Sequence, residues 1–245
     1  MGWAWLEITV LAVLVGLVIA AALSRGMLPW SIAFLRLLAA IYLGIFKRFR
    51  VVGAGYIPAM GPVILIANHT SAYDPVCLQV ACPHRLIRWM QAREYYNKMP
   101  VMPLYRMLGV IPVIRTGNDT ASVRTALRAL AEDGCIGIFP EGRISNDGRL
   151  QEVRTGAALL ALMSGAAVIP AYFQWTQPFA GMVRDFLTFN RVTLHFGPAI
   201  RLDDLGARHR DPQVREIAAR RIVEAIVSLR DHAEAASHPA TGVQL

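Results

Sequence analysis

The sequence predicts an α/β fold: a single domain with a mixed, largely parallel sheet flanked by helices, preceded by N-terminal membrane helices. Three observations carry this reading. From Arg50 onward, short apolar runs alternate with stretches of helical periodicity, as in chains that join strands through helices. Ahead of Arg50 lie two long apolar segments, Ile8 to Leu23 and Met27 to Phe46. The whole chain has a mean hydropathy of +0.40 and is 55% hydrophobic, more than a water-soluble domain needs. The chain divides accordingly into membrane-anchoring helices at residues 1–49, a domain at residues 50–234 and a frayed tail at residues 235–245.

Ile8 to Leu23 carries no charge and, with its flanks, reaches the ~20 residues that cross a bilayer core. A signal peptide would carry Lys or Arg ahead of such a run, whereas Glu7 stands there. Basic residues after the span favour an inner (cytoplasmic) membrane protein whose body faces the cytoplasm. Met27 to Phe46 is interrupted by Pro29 and Arg36 and ends in Lys47-Arg48-Phe49-Arg50. It reads as a helix dipped into the cytoplasmic leaflet with Arg36 reaching for the headgroups, a second span being the alternative. Strands are predicted at Arg50–Val52, Val63–Ala67, Leu86–Met90, Val110–Ile114, Ile136–Phe139, Val168–Phe173 and Val192–Phe196. Helices are predicted at Pro75–Ala81, Glu94–Leu108, Thr120–Asp133, Val153–Ser164, Phe179–Leu187 and Pro212–Ala233. Thr120–Asp133 is the clearest, with Asp119 as N-cap and Gly134 just past its end.

The formal charge of +8 is unevenly placed. Up to Arg93 there are eight basic and two acidic residues, against 17 and 15 beyond it, so the excess accompanies the apolar segments. That pattern suits an anionic lipid surface. Nucleic acid is not an expected partner, since no basic run interleaved with aromatics and no reader motif occurs. Cys77, Cys82 and Cys135 lack disulfide or zinc spacing and read as buried free thiols.

Chemistry concentrates where predicted strands end. Val63 to Pro75, VILIANHTSAYDP, runs from a buried strand through Asn68-His69 to a helix opened by Asp74-Pro75. His69 and Asp74 are five residues apart, about 140° around a helix, so they meet only if His69 lies in the turn and Asp74 in the helix's first turn. Taken alone, His69 is a structural hydrogen bonder and Asp74 an N-cap, with Ser71-x-x-Asp74 a capping box. Three further stretches change the balance. GVIPVIR ends a strand in Arg115, and FPEGRIS runs a buried strand into Glu141, Gly142 and Arg143. Gly142 permits close backbone approach, and an arginine offers a planar fork for phosphate. Val168-Ile169-Pro170 sets a proline in an apolar strand, where a fully hydrogen-bonded position would be awkward.

NHTSAYD, GVIPVIR, FPEGRIS and VIP, in this order and spacing, resemble the four motifs of the glycerolipid acyltransferases. Their bacterial lysophosphatidate branch is the most similar. The resemblance covers roughly Val51 to Leu202 and implies His69 as catalytic base with Asp74 orienting it, and Asn68 and Ser71 in the same motif. It implies Arg115, Glu141, Gly142 and Arg143 as binding the acceptor's phosphate, and Pro170 as marking the acyl-donor side. The implied reaction moves an acyl group from acyl-CoA or acyl carrier protein to 1-acyl-sn-glycerol-3-phosphate at a membrane, and calls for no cofactor. One departure stands out: the family's third motif reads Glu-Gly-Thr-Arg-Ser, whereas Gly142 here is followed by Arg143-Ile144-Ser145. That spelling is similar to enzymes acylating lysophosphatidylethanolamine, so another lysolipid, including a lyso-ornithine lipid, is the alternative acceptor. A hydrolase using Ser71, or a non-catalytic lipid-binding protein, are the alternatives of another class; no G-x-S-x-G turn is present. Backbone amides at the helix start near Asp74 are candidate oxyanion donors, among which the sequence does not choose.

Overall fold

A computed structural model describes residues 29–97, 102–115, 119–145, 155–176 and 188–237. Seven strands form one sheet: β1 (Arg50–Val52), β2 (Val63–Ala67), β3 (Ile87–Ala92), β4 (Ile111–Val113), β5 (Cys135–Ile138), β6 (Ala167–Trp175) and β7 (Val192–Phe196). Their spatial order is β1-β7-β6-β2-β5-β3-β4. The β6–β7 ladder is antiparallel and the other described ladders are parallel. All seven predicted strands are present, with ends moved by a few residues.

The helices are α1 (Trp30–Lys47), α2 (Asp74–Ala81), α3 (Arg93–Tyr96), α4 (Met102–Met107), α5 (Thr120–Ala131), α6 (Thr155–Ser164) and α7 (Pro212–Ser237). The long helix expected over Glu94–Leu108 is represented by α3 and α4, two short pieces. The expected spans Ile8 to Leu23 and Phe179–Leu187 lie outside the described residues. The tail is expected from Ala235, but α7 continues through Ser237, and residues 238–245 lie outside the described residues.

Both sheet faces are covered, which explains why β2 is an unbroken apolar run rather than an alternating one. On one face Ile64, Ile66, Ile136 and Val168 pack with Leu160 of α6 and Ile222 of α7. On the other, Leu65, Ala67, Ile169 and Phe173 pack with Leu78 of α2 and Leu43 of α1. At about 25 cal/mol per Å² of apolar surface, these two layers are the main source of stability. Pro112 sits in β4, an edge strand, where a missing donor costs little.

Helix α1 departs from expectation at Arg36, and it buries a second cation. Arg36 is turned into the protein, 8% exposed, instead of outward to a lipid surface. Lys47 is fully buried, its ammonium donating to the Thr188 carbonyl at 2.8 Å and lying 5.9 and 5.8 Å from the ring centres of Tyr42 and Tyr73. The outer face carries Trp30, Leu35, Leu38, Ile41 and Ile45, all exposed. Among the described residues, α1 is the helix long and apolar enough to cross a membrane.

Because β2 to β6 run in one direction, their carboxyl ends share one edge. The chain leaves β2 towards β3 on one side and leaves adjacent β5 towards β6 on the other. The gap between such neighbours opens a crevice at the carboxyl edge.

Candidate active site

His69 and Glu141 follow β2 and β5, the two strands flanking that crevice. Asn68 closes the end of β2: its side-chain oxygen accepts from Phe173 N at 2.7 Å and its amide donates to Phe173 O at 3.2 Å. This side chain extends the β2–β6 ladder by one step and fixes where the chain turns. Asp74 then opens α2, with Pro75 in the first turn where a missing N–H has no cost.

His69 Nδ1 lies 2.9 Å from Asp74 Oδ2. The same oxygen accepts from Thr70 N at 2.7 Å and Ser71 N at 2.8 Å, while Oδ1 accepts from Trp175 Nε1 at 3.2 Å. Burial is complete and pushes the Asp74 carboxyl up from its ordinary range. The hydrogen bond and charge of His69, then the Ser71 and Thr70 amides, oppose that shift in part, and the carboxyl stays raised. Every contact is a donor facing an acceptor, so the turn is built to hold a carboxylate, and Nδ1 of His69 carries the hydrogen. Nε2 makes no hydrogen bond among the described residues, and the side chain is 16% exposed.

Glu141, 4% exposed, accepts the backbone N–H of His69 at 2.8 Å, and the His69 carbonyl accepts from Ser145 N at 2.7 Å. It clamps the histidine's main chain; no phosphate-facing role follows from that contact. Gly142 adopts φ +70°, the left-handed region favoured by glycine. Its carbonyl accepts from Arg115 Nη1 at 3.2 Å, and Arg115 also pairs with Glu94. Arg93, Glu94, Asn97, Ile114 and Arg115 line an open cleft of about 470 Å³. Arg143 is exposed on the same loop.

Two further predicted residues, Pro170 and Ser71, are buried. Pro170 is buried in mid-strand on the face covered by α7, its ring beside Gly197 and Leu229. Its carbonyl accepts from Gly197 N at 3.0 Å, one step beyond the β7 ladder. Its ring nitrogen faces that same side, so the missing donor leaves no gap in the ladder. Ser71 is 2% exposed, its Oγ accepting from Tyr73 N at 3.3 Å. It is a turn former, which removes the support for a serine nucleophile. The capping box forms by half, through Ser71 N and Asp74 alone. The amides of Thr70, Ser71, Tyr73 and Asp74, among the candidate oxyanion donors, are all used inside the turn. Trp175, Glu94 and Arg93 are neighbours that sequence reasoning missed; each joins through a fold contact that no local pattern announces.

A sequence model of the acyltransferase family matches residues 48–174, just over half of the chain. The chain belongs to the acyltransferase family. It is 27% identical over 144 residues to a 1-acyl-sn-glycerol-3-phosphate acyltransferase of Streptococcus pneumoniae, covering 58% of this chain and 51% of that one. It is 28% identical over 155 residues to the namesake from Borreliella burgdorferi, covering 61% and 60%. The chain thus spans half to three fifths of the length of these curated relatives. The crystal structure of the 1-acyl-sn-glycerophosphate acyltransferase of Thermotoga maritima shares the fold, with TM-score 0.61 at 17% identity over 82% of this acyltransferase and 80% of that chain.

Proposed function

We propose that this acyltransferase transfers a fatty acyl group from a thioester, acyl-CoA or acyl carrier protein, to the free hydroxyl of 1-acyl-sn-glycerol-3-phosphate, giving phosphatidic acid. The observation that carries this reading is the His69–Asp74 pair: the carboxylate holds Nδ1 at 2.9 Å and leaves Nε2 open at the rim of the crevice. The curated relatives' names supply the acceptor.

An alcohol is a weak nucleophile at neutral pH. Nε2 removes its proton as the oxygen attacks the thioester carbonyl, and Asp74 stabilises the imidazolium that forms. Collapse of the tetrahedral species forms the ester, breaks the C–S bond and returns the proton from Nε2 to the departing thiolate. No acyl-enzyme is required, since donor and acceptor held side by side gain from orientation alone. Arg115 in the cleft and Arg143 on the adjoining loop bind the phosphate and aim the hydroxyl at His69. The exposed apolar face of α1 supports docking on the cytoplasmic leaflet of the inner membrane, with the basic excess facing anionic lipid.

The test is purified protein with a thioester donor and a panel of lysophosphatidate, lysophosphatidylethanolamine and lyso-ornithine lipid. Phosphatidic acid and free thiol should form in equal amounts, and His69→Ala should lower the rate by about 10³ or more while the protein stays folded. Undiminished turnover in folded His69→Ala would sink the mechanism; equal rates on acceptors without phosphate would remove the arginine roles.

A further inference from the structure

Beneath His69 stands a column of rings built from three segments of the chain. Its base is Gly137 of β5, paired in register with Trp89 of β3. A Cβ at position 137 would lie 2.5 and 2.6 Å from Cζ3 and Cε3 of the indole, so Trp89 lies across β5 only because residue 137 is glycine. Phe139, two residues on, projects from the same sheet face. Its ring is 5.0 Å from that of Trp89 at 7° and 4.0 Å from the His69 imidazole at 12°. Trp89 is buried at 7% exposure and fixes the phenyl from below.

This geometry distinguishes between the two states of the imidazole. Neutral aromatic pairs favour offset or edge-on contacts with centroids about 4.5–7 Å apart, because their negative faces repel. A close, nearly parallel contact suits a cation lying on a ring face. We propose that Phe139, held by Trp89 over Gly137, is a positioning residue that fixes the plane of the His69 ring and stabilises the positive charge it gains during turnover. The proposal rests on His69 being the base. As the hydroxyl proton arrives at Nε2, the new charge is met in the ring plane by Asp74 and below it by the face of Phe139. When the proton passes to the thiolate, the ring is neutral again, so the contact favours the transition state over the resting enzyme.

The experiment is Phe139→Leu in the full-length protein in detergent micelles, with folding checked by circular dichroism. We expect kcat to fall about tenfold, KM for donor and acceptor to stay within about twofold, and the acid limb of the pH–rate profile to move to lower pH. Phe139→Tyr, which keeps a ring face, should recover most of the lost rate. A folded Phe139→Leu protein with unchanged kcat and acid limb would overturn the proposal. Should that variant not fold, histidine-labelled NMR of the unsubstituted protein decides: stacking displaces the His69 ring protons upfield of those of the other histidines, and an ordinary position refutes it. Full activity in His69→Ala would instead remove the base itself, while leaving the NMR displacement of the unsubstituted protein in place.

Discussion

At the scale of single residues, the site depends on keeping one buried carboxylate in place. Trp175 donates to Asp74 Oδ1 from the far end of β6 and holds the side chain so that Oδ2 faces His69. Hydrogen bonds to charged groups contribute roughly 1.5–3 kcal/mol. Trp175→Phe should therefore lower kcat about tenfold or more with little change in KM, measured by steady-state kinetics. Asp74→Asn is expected to cost more, about 10³ in kcat, because an amide cannot hold the imidazole in the tautomer that leaves Nε2 as acceptor. Gly142 acts through its backbone instead. With φ at +70°, Gly142→Ala should cost about 1–2 kcal/mol, read as a melting temperature lower by a few degrees. His69, Asp74 and Arg115 were legible from sequence because each sits where a strand ends or a helix starts. Trp175 was not: it lies 101 positions from its partner, and only the pairing of β6 with β2 brings them together.

At the scale of elements, the periodic pattern resolved the sheet and its covering helices, and failed where packing overrides pattern. One helix is expected over Glu94–Leu108, whereas the described residues there form α3 and α4, two short helices, and Arg93 and Glu94 of α3 help line the cleft at Arg115. Arg36 is expected from the sequence to reach for lipid headgroups, yet it turns into the protein, and Lys47, part of the basic run that ends the segment, is buried as well. The structure gives Lys47 a carbonyl and two aromatic rings inside the domain, a compensation visible only in three dimensions. Asp119 was legible in full as the cap of α5: it accepts from Ser122 N at 3.0 Å and from Ile114 N at 2.6 Å, joining α5 to the chain just past the end of β4. Burial pushes its carboxyl up, but the amides of Ile114, Ser122 and Ala121 and the Ser122 side chain together draw it below the ordinary value. A lowered folded value means stability is present above pH about 4 and lost as pH falls through the folded value. Asp119→Ala should cost about 1 kcal/mol at neutral pH and flatten that acid loss, as shown by denaturant titrations between pH 3 and 7, values set by the usual N-cap contribution.

At the scale of the whole molecule, one edge of the sheet carries the His69–Asp74 pair and one helix, α1, carries an exposed apolar face. Replacing Leu38 and Ile45 by glutamate should leave turnover of short-chain, water-soluble substrates intact. Retention on anionic vesicles should fall by tenfold or more in co-sedimentation, since each burial is worth about 1.5–3 kcal/mol. Undiminished retention would assign membrane contact to some other surface. Lys47 links these two parts, since the ammonium that closes α1 also lies over the ring of Tyr73, the residue immediately before Asp74. Helix α1 and the turn that holds Asp74 are thereby packed against each other. On a bilayer, the histidine would ride at a set height above the lipid plane, like a tool on a fixed arm, and the glycerol hydroxyl would have to rise to meet it.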